Sequence, residues 1–237
     1  MIDTVVFDLD GTVVDTVSGI THAVNIALRA HGLTEVVDDE TRQYVGLGGK
    51  ALVRAAVEKA GAPGELARAV QEAYLTAYAA DPGHRAHVYP GVEELLKRLR
   101  ARNIRLALCT NKSGRITGGM LEALGLAAAF DAVVSGDELP YRKPDPRHLL
   151  EAVRRAGGTA ALMVGDSISD VQAARAAGCR VVRLRNRRPG AGFLDRQLRR
   201  LRVRCSGSRS PWWRSLNTST ATPRNWCAGH RSRPAPT

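Results

Sequence analysis

Two carboxylates one residue apart close an apolar run near the start of the chain: Val5-Val6-Phe7-Asp8-Leu9-Asp10, followed at once by Gly11 and Thr12. In an extended chain the side chains at i and i+2 share a face, so Asp8 and Asp10 are expected to emerge together from one strand end. Such charges repel by about 1 kcal/mol at ~4 Å in water and by about 4 kcal/mol at an effective dielectric of roughly 20, so positive charge is expected beside them. A strand running into a turn accounts for Gly11 and one Asp, but not for the second carboxylate. An ionised Asp8 can attack an electrophile and divide one difficult step into two. With phosphorus as the electrophile, the product is an aspartyl-phosphate, and catalysis is mainly positioning and charge stabilisation. Asp10 then suits the general acid toward the leaving oxygen and the general base toward the water that opens the intermediate.

Three further polar sets follow apolar runs: Thr110-Asn111, Lys143-Pro144, and Gly165-Asp166-Ser167 with Asp170 four residues after Asp166. The Thr110 hydroxyl and the Asn111 amide can donate to phosphate oxygens that do not transfer. Asp8, Asp166 and a phosphate dianion cannot share a crevice unaided. Mg²⁺ suits such a place, being hard, oxygen-seeking and usually held by one or two carboxylates plus substrate phosphate; Lys143 adds one more positive charge. Each set also has a plainer reading: Thr110-Asn111 as a turn or helix cap, Lys143 as a solvated loop lysine, Ser167 and Asp170 as a helix N-terminus. Their joint position at strand ends favours the chemical one.

The elements that must hold these residues follow from periodicity. Ile20, Ala23, Val24, Ala27 and Leu28 fall at helical spacing before Gly32; Leu52 to Ala60 repeat the pattern before Gly61, and Leu66 to Ala77 before Asp81-Pro82-Gly83. No strand is expected between about residues 17 and 87. Beyond Tyr89-Pro90-Gly91 helices and strands alternate: helix 92–102, strand 104–109, helix 115–124, strand 131–134, helix 146–156, strand 161–164, helix 171–177 and strand 180–184. Alternation of this kind, with connections too long for hairpins, implies a mainly parallel sheet covered on both faces. Its ligand crevice lies at the carboxyl ends of the strands, where all four polar sets fall.

The chain thereby resembles the haloacid dehalogenase superfamily in its phosphatase branch, and most closely the phosphoglycolate phosphatases, over about residues 2–184. The resemblance rests on Asp8-Leu9-Asp10-Gly11-Thr12, Thr110-Asn111-Lys112, Arg142-Lys143-Pro144-Asp145-Pro146 and Gly165-Asp166-Ser167-Ile168-Ser169-Asp170. It implies an α/β fold, a Rossmann-like parallel sheet core with an inserted α-helical cap, divided as core 1–16, cap 17–87 and core 88–184. It also implies Asp8 as nucleophile and Asp10 as acid/base, and phosphate on Thr110, Asn111 and Lys143. Mg²⁺ would rest on Asp8, the Asp10 backbone carbonyl and Asp166, with Asp170 in support. The expected activity is hydrolysis of a small phosphorylated metabolite, 2-phosphoglycolate first. Asp10 argues against a dehalogenase, whose halide needs no proton; a sugar-phosphate mutase uses the same first step and stays open. The glycine-rich turn Gly46-Leu47-Gly48-Gly49-Lys50 is either part of the closing cap or simply a loop before a helix.

The net charge of +12 on 237 residues is unevenly spread. Residues 183–237 hold fourteen Arg, no Lys and one acid, Asp195, for +13, which leaves residues 1–182 at −1. All three tryptophans lie in the same basic stretch. Arg interleaved with Trp could bind single-stranded nucleic acid, with Leu194, Leu198 and Leu201 on a short helix, beside a catalytically idle core. The abrupt break in composition is read instead as a shifted reading frame, with 185–237 disordered and nucleic acid not expected as a partner. Cys109, Cys179, Cys205 and Cys227 form no CxxC pair, so neither a zinc site nor a disulfide framework is indicated. No signal peptide and no apolar run of about 18 residues is expected, which makes a cytoplasmic protein the default.

Overall fold

The computed structural model describes residues 2–184. Strand β1 (Thr4–Phe7) and the two-residue β2 (Val14–Asp15) precede four helices, α1 (Val17–Ala30), α2 (Asp38–Arg42), α3 (Gly49–Lys59) and α4 (Leu66–Ala80). After β3 (His87–Val88) come α5 (Val92–Arg100), β4 (Arg105–Cys109), α6 (Gly114–Ala123), β5 (Ala132–Val134), α7 (Pro146–Arg155), β6 (Ala161–Gly165), α8 (Ile168–Ala176) and β7 (Arg180–Arg183). The main sheet has five strands in the order β5-β4-β1-β6-β7, every pairing parallel. β1 lies at its centre, with Thr4 opposite Arg105 on one side and Ala161 on the other.

Two-residue alternation along the central strands divides the core. Val5, Phe7, Leu106, Leu108, Leu162 and Val164 point to the face covered by α5 and α6, where Leu95, Leu96, Leu99, Ile116 and Met120 meet them. Val6, Ala107, Cys109 and Met163 point to the other face, against Leu149, Ala152 and Val153 of α7 and Ala174 of α8. Each fully buried Leu, Val or Phe contributes roughly 1.5–3 kcal/mol. Both faces are buried because the crossover helices cover both, as the alternation of elements implies.

The structure departs from the periodicity in four places. β1 stops at Phe7, before the carboxylates: the Leu9 carbonyl accepts the N–H groups of Thr12, Val13 and Val14, and the Gly11 N–H returns to the Val14 carbonyl at 2.9 Å. The chain curls there with Gly11 at φ 74°, so Asp8 and Asp10 do not share a strand face. A small antiparallel ribbon pairs β2 with β3, Val14 with Val88 and Asp15 with His87; two-residue strands are too short to show a period. Helix α2, Asp-Asp-Glu-Thr-Arg, is nearly all polar and leaves no apolar signal. Helix α8 starts at Ile168 rather than 171, because Ser167 caps it. The expectations for 185–237, including the short basic helix, lie outside the described residues. Among the described residues no helix is long and apolar enough to cross a membrane.

His148 of α7 is fully buried and ties its helix to the sheet. Its partners assign the tautomer: Nε2–H donates to the Ser135 carbonyl at 3.1 Å, and Nδ1 accepts from the Cys109 thiol at 3.3 Å. Burial pushes the Cys109 thiol up to about 12, so it keeps its proton. Burial likewise holds His148 below its ordinary 6.5. Below about pH 6.5 the unfolded chain therefore takes up a proton that the folded chain refuses, and stability present above that pH falls as pH drops. Urea denaturation between pH 7.5 and 5 is expected to show this slope, and His148→Gln to flatten it; an unchanged slope in the variant would refute the assignment.

Candidate active site

Asp8 leaves the end of β1 directly into a buried ion cluster and is 2% exposed. Lys143, also 2% exposed, donates to the Cys109 carbonyl at 2.6 Å and to Asp170 Oδ1 at 2.7 Å, and forms an ion pair with Asp8 Oδ1 at 2.9 Å. The solvated-loop reading of Lys143 does not hold. Burial first, and the Asp170 charge second, push the Asp8 carboxyl well above its ordinary range; Lys143 pulls it down, and Asp166 and Asp10 add to the rise. Burial alone would lower the Lys143 ammonium, but Asp170 and Asp8 hold it above its usual range.

One carboxylate oxygen each from Asp8, Asp166 and Asp170 lies within 4.8 Å of the others. Three carboxylates beside one ammonium leave a charge of −2 when all are ionised. The donors are hard oxygens, Asp8 from the end of β1 and Asp166 and Asp170 from the junction of β6 and α8, and this set fits a divalent cation. Two glycines make the cluster possible. A Cβ on Gly11 would stand 2.4 Å from Asp166 Oδ2, and one on Gly165 would stand 2.3 Å from Asp170 Oδ2. Asp170 also closes a capping box on α8: its Oδ2 accepts the Ser167 N–H at 3.0 Å, and the Ser167 hydroxyl accepts the Asp170 N–H at 3.3 Å. The helix-terminus and ion-cluster readings of Asp170 are both present in one side chain.

Asp10 belongs to a second pair. Its Oδ1 accepts the Thr16 hydroxyl at 2.7 Å and the Lys112 ammonium at 2.9 Å, while Oδ2 lies 3.3 Å from the same nitrogen. Neither Thr16 nor Lys112 stands out from the sequence as a partner of Asp10. Asn111 donates one amide hydrogen to the Gly46 carbonyl at 3.0 Å and the other to the Lys143 carbonyl at 2.9 Å, so it fastens the glycine-rich turn to the lysine loop. Thr110 is buried and its Oγ1 accepts the Lys112 N–H at 3.2 Å. A cavity of about 1040 Å³ separates the helical segment from this sheet edge. Asp10, Asn111 and Lys112 line its floor, and Gly48, Gly49 and Tyr74 its roof. Asp8, Thr110 and Lys143 are not among its lining residues, and each is at most 2% exposed.

A family profile described as haloacid dehalogenase-like hydrolase matches residues 5–184. The chain belongs to this family. Within these haloacid dehalogenase-like hydrolases, the phosphoglycolate phosphatase of Mesorhizobium japonicum is 39% identical over 203 residues, spanning 82% of this chain and 86% of its own. That of Rhodospirillum rubrum is 42% identical over 186 residues, 75% of this chain and 77% of its own. Among solved structures, a predicted phosphoglycolate phosphatase from Haemophilus somnus superposes with a TM-score of 0.72 at 27% identity, covering 81% of this chain and 91% of that one. The haloacid dehalogenase-like fold expected from the motifs is therefore present, with its parallel sheet and flanking helices.

Placing Ala at position 11 adds a methyl group against Asp166 to the strain of a positive φ. Adding Mg²⁺ to the protein is expected to raise its Tm, and Gly11→Ala to abolish that rise while keeping the far-UV CD spectrum. A full Mg²⁺-induced rise in the variant would contradict the cluster as the cation site.

Proposed function

We propose that this haloacid dehalogenase-like hydrolase is a Mg²⁺-dependent phosphatase of small phosphorylated metabolites, with 2-phosphoglycolate as substrate. The observation that carries the reading is Asp8, fixed by Lys143 inside a three-carboxylate cluster, in a chain 39% and 42% identical to proteins named phosphoglycolate phosphatase. Residues 17–87 act as the cap over the core segments 1–16 and 88–184. The free thiols Cys109 and Cys179 suit a reducing, cytoplasmic setting.

In the first step an Asp8 carboxylate oxygen forms a bond to phosphorus as the bond from phosphorus to the substrate's ester oxygen breaks. Asp10 gives its proton to that departing oxygen, which leaves as the glycolate hydroxyl. In the second step a water oxygen bonds to the same phosphorus, Asp10 takes the proton that the water loses, and the bond from phosphorus to Asp8 breaks to give inorganic phosphate. The Thr110 hydroxyl, whose oxygen already accepts the Lys112 N–H, keeps its own proton for a phosphate oxygen. Lys143 opposes the burial that favours the neutral Asp8 carboxyl and offers its charge to the incoming phosphate, and Asn111 holds the Lys143 loop and the Gly46 turn in register. Asp8, Asp166 and the Asp10 backbone carbonyl, supported by Asp170, would hold Mg²⁺, which neutralises phosphate charge when bound.

Phosphate release from 2-phosphoglycolate is expected with Mg²⁺, to stop with EDTA and to return when Mg²⁺ is restored. Asp8→Asn is expected to remove activity by more than about 10³-fold, and Asp10→Asn to lower it by about 10²–10⁴-fold. Undiminished release by Asp8→Asn would end the reading. Isomerisation of a sugar phosphate without net phosphate release would replace it with the mutase.

A further inference from the structure

The mechanism leaves one buried charge without a task. Lys112 is 6% exposed, yet it is neither in the Asp8 cluster nor on the surface. Its ammonium is held from two sides. Below it is Asp10, at 2.9 and 3.3 Å; above it is the Tyr78 ring of α4, whose centroid is 4.5 Å away. Burying an ammonium needs compensation of this kind, and a carboxylate with an aromatic face supplies it. Tyr78 is itself fixed, being 1% exposed and packed against Tyr74 at 5.8 Å between ring centroids. Tyr74 in turn fills the space where a side chain at Gly49 would stand, 2.4 Å from the missing Cβ. A continuous stack therefore runs from the glycine-rich turn through Tyr74 and Tyr78 to Lys112 and Asp10.

The two oxygens of Asp10 are unequal. Oδ1 takes both short bonds, from Thr16 and Lys112, and Oδ2 has only the long contact to Lys112. Donors on two sides of Oδ1 set the rotation of the carboxyl group and leave Oδ2 as the oxygen able to exchange a proton with a substrate. We infer that Lys112 is a positioning residue that aims Asp10 at the leaving oxygen, and that Tyr78 of α4 holds Lys112 in place to do so. Seating of the helical segment is thereby coupled to proton delivery. This rests on Asp10 being the acid/base proposed above. In the step concerned the proton passes from Asp10 to the ester oxygen as the bond from phosphorus to that oxygen breaks.

The test compares three substrates in single-turnover measurements of the first step. Ethyl phosphate and 2-phosphoglycolate release poor leaving groups that need a proton, whereas p-nitrophenyl phosphate releases a phenolate that does not. Lys112→Met is expected to slow the first two by about 30-fold or more, with KM little changed, and p-nitrophenol formation by less than about 3-fold. Lys112→Arg is expected to recover part of the loss. Tyr78→Leu, which keeps the lysine and removes its aromatic support, is expected to show the same pattern at smaller amplitude. Equal loss on all three substrates would mark Lys112 as merely structural. A raised KM for 2-phosphoglycolate alone would mark it as a contact to the substrate carboxylate; either result overturns the inference. If Lys112→Met does not fold, Lys112→Gln and Tyr78→Leu are read by the same criteria. No turnover of any substrate by the parent protein would instead count against the phosphatase reading itself.

Discussion

The Lys143 ammonium, enclosed between Asp8 and Asp170, is the interaction on which the active edge depends. It gathers the end of β1, the last carbonyl of β4, the loop before α7 and the first turn of α8 around one nitrogen. Removing one partner of such a buried pair typically costs about 3–5 kcal/mol, because the other charge is left uncompensated. The ammonium balances only one of the three carboxylates, so the cluster still favours a cation while Asp8 is held in place, as the proposed nucleophile must be. Structural integrity and chemical readiness are set here by the same few atoms.

Asp170 shows how close that identity is. One of its oxygens faces Lys143 and the other caps α8 through Ser167. A carboxylate in a first helical turn is favoured by the helix dipole whatever else it does. The fold thus places a negative charge at the sheet edge for ordinary reasons, and the ion cluster makes further use of it. Gly165 and Gly11 fit the same economy, since both are needed as glycine by the close approach of a carboxylate rather than by a turn alone.

The parallel sheet and its four polar sets were legible because apolar runs such as Leu106–Cys109 and Leu162–Val164 stop abruptly at Thr110 and Gly165. Helix ends were legible at Gly32 and Gly61, each at positive φ. What stayed hidden had no local signature. The ribbon of β2 and β3 is two residues long, and α2 is polar throughout. Lys112 closes the Thr110-Asn111-Lys112 motif, yet its partners, Asp10 and Tyr78, are 102 and 34 positions away in sequence, and nothing in residue type or spacing pairs them. Lys143 would ordinarily be read as solvated; only the convergence of four chain segments shows it enclosed.

The central place of β1 governs the order in which the molecule can be completed. Thr4 must wait for Arg105 on one flank and for Ala161 on the other. During synthesis the strand that leads into Asp8 therefore leaves the ribosome before both of its neighbours and is sealed in only after β6 has followed. The helices between β2 and β3 pack largely with one another, α1 most extensively with α4, so they can assemble while the strand's two edges are still open. In the nascent chain local helix pairing is free to precede the sheet, and Asp8 can acquire its ammonium partner only when Lys143 has emerged.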